Sequence, residues 1–274
     1  NLGLKLNGSL ELQLVLGIFF IDKNMMWWHL IYPKMNLLYK IKFMKIKFSG
    51  IIFTLTILIT IISTTHSYTD HYKNFKKIEM NVYRNGEIIG FSNYEFINNG
   101  NILEVLNTTE FKVNVLGVKL FSIKSTSKEI YENDQLIEFN SKTLQNKKNK
   151  FVSLNFDKKL DYFKIVGSSY EGAANKNNVV GNWWNHKILT ANSQISPLSG
   201  SIKKQKVTFI SKEKINIGNE SLEVEHFKLK STDKNLKPDK KLDFDIWYSR
   251  EKNIIFKVEY NRLGKWEYIV TNYK

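Results

Sequence analysis

Residues 78–90 read Ile78-Glu79-Met80-Asn81-Val82-Tyr83-Arg84-Asn85-Gly86-Glu87-Ile88-Ile89-Gly90. Ile78, Met80 and Val82 alternate with Glu79, Asn81 and Tyr83, the period of two expected of a strand with one buried face. Asn85-Gly86 then supplies a two-residue hairpin turn, because both of its residues tolerate positive φ. Two strands joined by a tight turn make an antiparallel pair, and the rest of the chain repeats the device.

Glu87 to Ile97 returns along the first strand, and Asn98-Asn99-Gly100-Asn101 turns the chain again. Ile102 to Leu116, Val118 to Tyr131 and Leu136 to Leu144 continue through turns at Gly117 and Glu132-Asn133-Asp134. Phe151 to Phe156 and Tyr162 to Val166 are shorter strands. After a Gly-, Ser- and Asn-rich stretch from Gly167 to Ser201 come Lys206 to Ser211, Leu222 to Lys230, Leu242 to Tyr248, Ile254 to Tyr260 and Trp266 to Thr271. The last hairpin turns at Arg262-Leu263-Gly264. The expected fold is all-β and mostly antiparallel. About eleven strands form a meander that curls into a half-barrel or open barrel, because a large twisted sheet tends to roll up. One short helix or loop lid is expected near Val179 to Leu189. The 167–201 stretch reads as a long loop over the sheet, since neither half is large enough to close its own core.

Upstream lies an export signal at 44–67. Met44-Lys45-Ile46-Lys47 is a positive start, Ile51 to Ile62 an uncharged apolar run, and Thr65 and Ser67 stand in the −3 and −1 places of a signal peptidase site. Cleavage between Ser67 and Tyr68 leaves a single exported β domain, 68–274, in the periplasm or secreted. The alternative is an inner-membrane anchor formed by residues 48–62, although this run is shorter than the roughly 20 residues of a spanning helix. Should residues 1–43 be part of the protein, Lys34, Lys40, Lys42, Lys45 and Lys47 would still hold the near side in the cytoplasm. Residues 1–43 carry no caps or turn chemistry and read as upstream frame outside the native protein. A second hydrophobic element is the other reading.

The formal net charge is +15, but only Arg84, Arg250 and Arg262 among the 41 basic residues are Arg. The lysines are spread along the strands, and bidentate phosphate or base recognition favours Arg. Nucleic acid is therefore not an expected partner. After Tyr68 the charge falls to about +10, which a solvated surface accounts for. The absence of Cys excludes disulfides, thiolate metal sites, a Cys nucleophile and a lipidated cysteine within this sequence.

No catalytic motif stands up. Gly167-Ser-Ser-Tyr-Glu-Gly172 has phosphate-loop glycine spacing, but Ala173-Ala174 occupy the places of Lys-Ser/Thr. His71, His186 and His226 are not neighbours at metal-ligand spacing, so no metal and no cofactor are expected. The pairs Asp243/Asp245 and Glu223/Glu225 read as polar faces of strands before they read as an acid–base pair. Leu198-Ser199-Gly200 lacks the first glycine of a nucleophile elbow. Gly181-Asn182-Trp183-Trp184-Asn185-His186 is the most distinctive run. Its two indoles either form a lid over the mouth of the sheet or plug the end of the core.

Several of these stretches resemble one uncharacterised family of exported bacterial β-proteins. Val82 to Gly90 resembles its opening V-Y-hydrophilic-N/D-G-x-x-I-G. Glu129-Ile130-Tyr131, followed by Leu136 to Ser141 and Thr143, resembles its central acidic/aromatic pair with L-x-x-x-x-S-x-T. Trp183-Trp184-Asn185 resembles its W-N loop. Phe244-Asp245-Ile246-Trp247-Tyr248, Ile254 to Tyr260 and Gly264 to Val270 resemble its closing hairpins, with Ser249 in place of the usual Asp. The resemblance spans nearly all of 75–272. It implies export and a fold similar to the half-barrel of periplasmic lipoprotein carriers, and no activity.

The leading expectation is thus a non-enzymatic carrier that holds a lipid or other apolar molecule in a concave sheet, lined by Trp183, Trp184, Phe244 and Trp247. Membrane contact would be through the signal segment or transient. A scaffold that meets a partner or anionic lipid in the envelope is the alternative, and an enzyme the third reading. Convergent carboxylates, or His186 beside His226, would revive that third reading. Oligomeric state is not legible.

Overall fold

The computed structural model describes residues 68–115 and 118–274. The expected signal at 44–67, the upstream segment 1–43 and the Ser67 side of the cleavage junction lie outside them. Within the described residues, one fifteen-stranded sheet runs in the order β8-β7-β6-β5-β4-β3-β2-β1-β15-β14-β13-β12-β11-β10-β9. It is an open half-barrel. All neighbours are antiparallel except β9 and β10, and β8 and β9 form the two free ends.

The opening stretch behaves as its alternation dictates. β1 (Lys77–Arg84) buries Ile78, Met80 and Val82, and Asn85 and Gly86 both take positive φ, so Arg84 faces Glu87 across a two-residue turn. β1 is also the seam of the sheet. It pairs with β2 (Glu87–Asn99) on one side and with β15 (Lys265–Tyr273), the last strand of the chain, on the other. The Asn85 side chain accepts the backbone N–H of Lys265 at 2.9 Å, tying the first hairpin to the last. A meander that begins and ends in one pair has to curl, and its strand-to-strand twist gives the curl a fixed hand.

From the seam one arm runs through β3 (Ile102–Val115), β4 (Val118–Glu132), β5 (Gln135–Gln145), β6 (Lys148–Asp157), β7 (Tyr162–Gly167) and β8 (Tyr170–Asn175). The other runs through β14 (Ile254–Asn261), β13 (Asp243–Ser249), β12 (Glu220–Ser231), β11 (Ile202–Ile217), β10 (Ser193–Ile195) and β9 (Val179–Val180). Fifteen strands replace the eleven or so expected. The chief additions are β8, β9 and β10, all inside the stretch read as a loop. β8 reads Tyr-Glu-Gly-Ala-Ala-Asn and lacks the β-branched residues that mark a strand. It pairs because β7 offers a free edge. β9 and β10 are too short to show a period.

The helix expected near Val179 to Leu189 is one 3-10 turn, His186–Leu189, capped by the Asn185 side chain on the Lys187 N–H. Two further 3-10 turns, Tyr68–Asn74 and Pro238–Lys240, complete the elements. The rest of 176–201 does cross the sheet. The backbone of Ser199-Gly200 sits directly on Gly167, where any Cβ would stand 2.7 Å from the Ser199 carbonyl oxygen. That close approach, rather than phosphate binding, explains Gly167, and the Gly167–Gly172 run is simply the β7–β8 hairpin.

The largest core cluster joins both arms. It holds Tyr72, Phe96, Phe139, Phe163, Phe256 and Trp184, all buried. Tyr72 comes from the first 3-10 turn, stacks on Phe96 at 5.5 Å and meets Trp184 edge-on at 5.0 Å.

Candidate functional site

Small polar residues recur at inward positions of β2, β3, β4 and β5, and the register aligns them. Ser92 faces Thr109, Thr109 faces Ser125, and Ser125 faces Thr143. One step along the strands, Tyr94, Asn107, Ser127 and Ser141 form a second row. A third row runs Phe96, Val105, Glu129, Phe139. Two rows rich in small polar residues therefore cross the concave face as a belt. The belt satisfies itself in part, with Ser92 and Thr109 hydroxyls 2.7 Å apart and Ser125 and Thr143 hydroxyls 2.6 Å apart. Asn107 Nδ2 donates to Ser92 Oγ at 3.2 Å and to the Asn93 carbonyl at 2.9 Å. Buried hydroxyls paired in this way avoid most of the cost of lost hydration.

Above the belt passes the 181–198 segment, and between them lies a cavity of about 230 Å³. The two polar rows, apart from Thr143, form its floor. Trp183, Phe244, Tyr268 and Leu242 form its opposite wall, and Phe111 and Phe139 flank the belt. Trp183 meets Phe244 edge-on at 5.0 Å. The segment is held down at one point by Ser141 Oγ, which donates to the Pro197 carbonyl at 2.6 Å. At another, buried Gln205 donates to the carbonyls of Ile188 (2.9 Å) and Ala191 (3.0 Å) while accepting from Gln194 at 2.7 Å.

Glu129 sits one row beyond the belt, almost completely buried. Trp184 Nε1 and Asn182 Nδ2 donate to its Oε1 at 2.9 and 2.6 Å, and the Tyr131 hydroxyl donates to its Oε2 at 2.8 Å. Burial pushes its carboxyl up to about 7, against the opposite pull of those three donors. Burial and then the Glu129 charge hold the Tyr131 phenol well above its ordinary range. Asn185 Nδ2 donates to the same phenol at 3.1 Å. The Asn182-to-Asn185 run is thus fastened to β4 through Glu129 and Tyr131, two of the residues that carried the family resemblance.

The four expected lining residues part company. Trp183 and Phe244 do line the cavity. Trp184 is a core plug, 1% exposed. Trp247 does not line the cavity; three residues from Phe244 on β13, it falls on the other face of the strand, at the edge of the main core cluster. There it stacks on His226 at 4.5 Å, donates to Glu213 Oε2 at 3.0 Å and carries Lys257 Nζ 4.6 Å above its ring.

His186 and His226 stay apart as well. His186 Nδ1 lies 2.7 Å from the Tyr72 hydroxyl, which also donates to the Trp184 carbonyl. Burial and then His71 and Lys187 push His186 down to about 4. His226 instead sits between Glu213 (3.0 Å) and Asp245 (2.9 Å). Asp243 and Asp245 share Lys228, each at 2.7 Å. Glu225 is buried under a two-pronged contact from Arg250, while Glu223 is exposed. Among the described residues no three His, Asp or Glu side chains converge as a metal site.

An open antiparallel half-barrel with a crossing segment over its concave face places the chain among the β-barrel-like proteins. Residues 80–271 match the family described as a domain of unknown function, DUF6134, and the chain belongs to that family. Among solved structures it is similar to a β-barrel-like protein of the DUF1849 domain from Brucella abortus. The identity is 8% and the TM-score 0.50, over 73% of this chain and 96% of that one. At that identity the likeness is one of fold. Weaker likenesses, each with a TM-score of 0.31 over 72% of this chain and 94% of the other, run to two further proteins. One, 13% identical, is described as exported with a YmcC-like fold, from Bacteroides fragilis; the other, 15% identical, is described as a lipoprotein, from Parabacteroides distasonis. No match is found among curated proteins.

Proposed function

We propose that this chain is an exported, non-catalytic binding module that takes a small amphiphilic molecule into the cavity between the polar belt and the Trp183–Phe244 wall. The observation that carries the reading is the two-sided lining of that cavity: paired hydroxyls on its floor, aromatic faces opposite. Such a site orients a molecule with one wet side and one apolar side. The volume narrows the carrier expectation. At about 230 Å³ it lies under the roughly 300–1,000 Å³ usual for drug-sized ligands. The ligand is then a short chain or a compact ring system, and Trp184, Tyr72 and Phe139 occupy space that a long acyl chain would need. Export is supported by the signal-like segment at 44–67.

The test is native mass spectrometry of protein extracted from the envelope, beside a Ser127→Phe variant. Ser127 faces the cavity without a hydrogen bond of its own among the described residues, so Phe there fills the space. We expect a small bound mass in the parent protein and none in the variant. Parent protein that is always empty, and that takes up no uncharged aromatic dye, would overturn the reading.

A further inference from the structure

The cavity lining holds one charged residue, and a second cation, Arg262, stands just outside it. Lys203, on β11, lines it beside Leu242, and its Nζ donates to the Lys240 carbonyl at 2.9 Å on the exposed edge. Arg262 reaches the same place from the β14–β15 hairpin, with Nη2 donating to the Lys241 carbonyl at 3.0 Å. Two cationic heads thus converge on consecutive carbonyls at the end of the Pro238–Lys240 turn. Neither meets a carboxylate within ion-pair distance among the described residues, and Lys240 meets only Asp239, at 3.5 Å.

Burial, then Arg262 and Lys240, hold Lys203 below the ordinary lysine range, and Asp239 alone pulls the other way. Lys150 is held down by burial and then by Lys240 and Lys148. Some lysines elsewhere on the sheet lie beside acids, as Lys128 does with Glu104, Lys228 with Asp243 and Asp245, and Lys257 with Glu259 and Glu267. Like charges gathered at the edge of a cavity destabilise the empty protein, and a bound anion relieves them.

We propose that the ligand of this cavity is an anion with an apolar body. Its carboxylate, sulfonate or phosphate head is held at Lys203 and Arg262, and its body lies between Trp183, Phe244 and the hydroxyl belt. The proposal rests on the binding-module reading and names the chemical class of its ligand. Charge at the rim sets selectivity, while the aromatic wall supplies area.

The test uses two dyes with one ring skeleton: anilinonaphthalene sulfonate, which is anionic, and phenylnaphthylamine, which is uncharged. Both are titrated by fluorescence into the purified protein at low salt, into Lys203→Gln/Arg262→Gln, and into Ser127→Phe, with near-ultraviolet circular dichroism as the check on folding. The parent should bind the sulfonate about tenfold tighter than the uncharged dye, the preference weakening with added salt. The double variant should bring the two within about threefold, by weakening the sulfonate alone. Equal affinities in the parent would overturn the anion inference and leave the cavity reading standing. So would a sulfonate preference that survives the double variant, or that survives Ser127→Phe, since surface lysines would then be responsible. Failure of both dyes to bind would overturn the cavity reading and this inference with it.

Discussion

The indole N–H of Trp184 donates to Glu129 Oε1 at 2.9 Å across 55 residues of sequence, with both side chains 1% exposed. This bond joins the crossing segment to β4. A buried carboxylate is expensive unless its lone pairs are used, and here three donors use them. Trp184→Phe keeps a ring but deletes one donor. We expect a loss of about 1–3 kcal/mol in urea unfolding. An unchanged midpoint would mean that the bond contributes nothing to stability.

Glu129 also makes stability depend on pH. Its folded pKa of about 7 lies above its ordinary 4.5. Its contribution is therefore full below about 4.5 and is lost as pH rises through 7, a change on the order of 3 kcal/mol. His186 works in the opposite sense. It is held at about 4 against an ordinary 6.5, so its contribution is present above 6.5 and lost as pH falls toward 4. The two slopes oppose each other in the overlap, and the parent protein alone can look flat. Glu129→Gln isolates the first: parent minus variant stability should fall by about 3 kcal/mol between pH 4 and pH 8. A difference that stays constant with pH would refute the assignment.

Gln205 is the other fastening of the crossing segment. Gln205→Ala leaves the carbonyls of Ile188 and Ala191 without their buried donor. The expected cost is about 1–3 kcal/mol, with faster hydrogen exchange at the amides of Ile188, Thr190 and Ala191, whose bonds close the 3-10 turn. Exchange in β13 and β14 should stay as it is. Uniform acceleration across the sheet would show that the effect is global rather than local.

At Gly90, β2 lies close against β3. A Cβ there would lie 2.0 Å from the Glu110 carbonyl oxygen and 2.5 Å from Phe111 Cβ, backbone and near-backbone atoms that cannot swing aside. Gly90→Ala should destabilise by about 1–3 kcal/mol through overpacking, read as a lower thermal midpoint. Because Phe111 lines the cavity, uptake of the uncharged dye should weaken too.

Much of this architecture is local and so was legible. Ile78, Met80 and Val82 alternate with polar neighbours, and Asn85-Gly86 closes a turn whose φ values only a few residues accept. Both features act within a few residues, and they determined strand, hairpin and the all-β class. The same local rules are silent about β8, whose pairing comes from the free edge of β7 and not from its own Gly- and Ala-rich composition. They are equally silent about the site. Ser92, Thr109, Ser125 and Thr143 are unremarkable one strand at a time and become a belt only when register sets them side by side. Periodicity can place Trp183 and Trp184 in a loop, but it cannot say that one faces a cavity while the other plugs the core. That choice was made by Glu129, a carboxylate on a distant strand that needed donors once the sheet had buried it. Nor does spacing bring Lys203 beside Arg262, which only the curl of the sheet does. The sequence by itself determined the elements, because they follow from backbone chemistry at short range. The tertiary structure decided the cavity and its charged rim, because both are made by residues that meet only after burial has closed long loops.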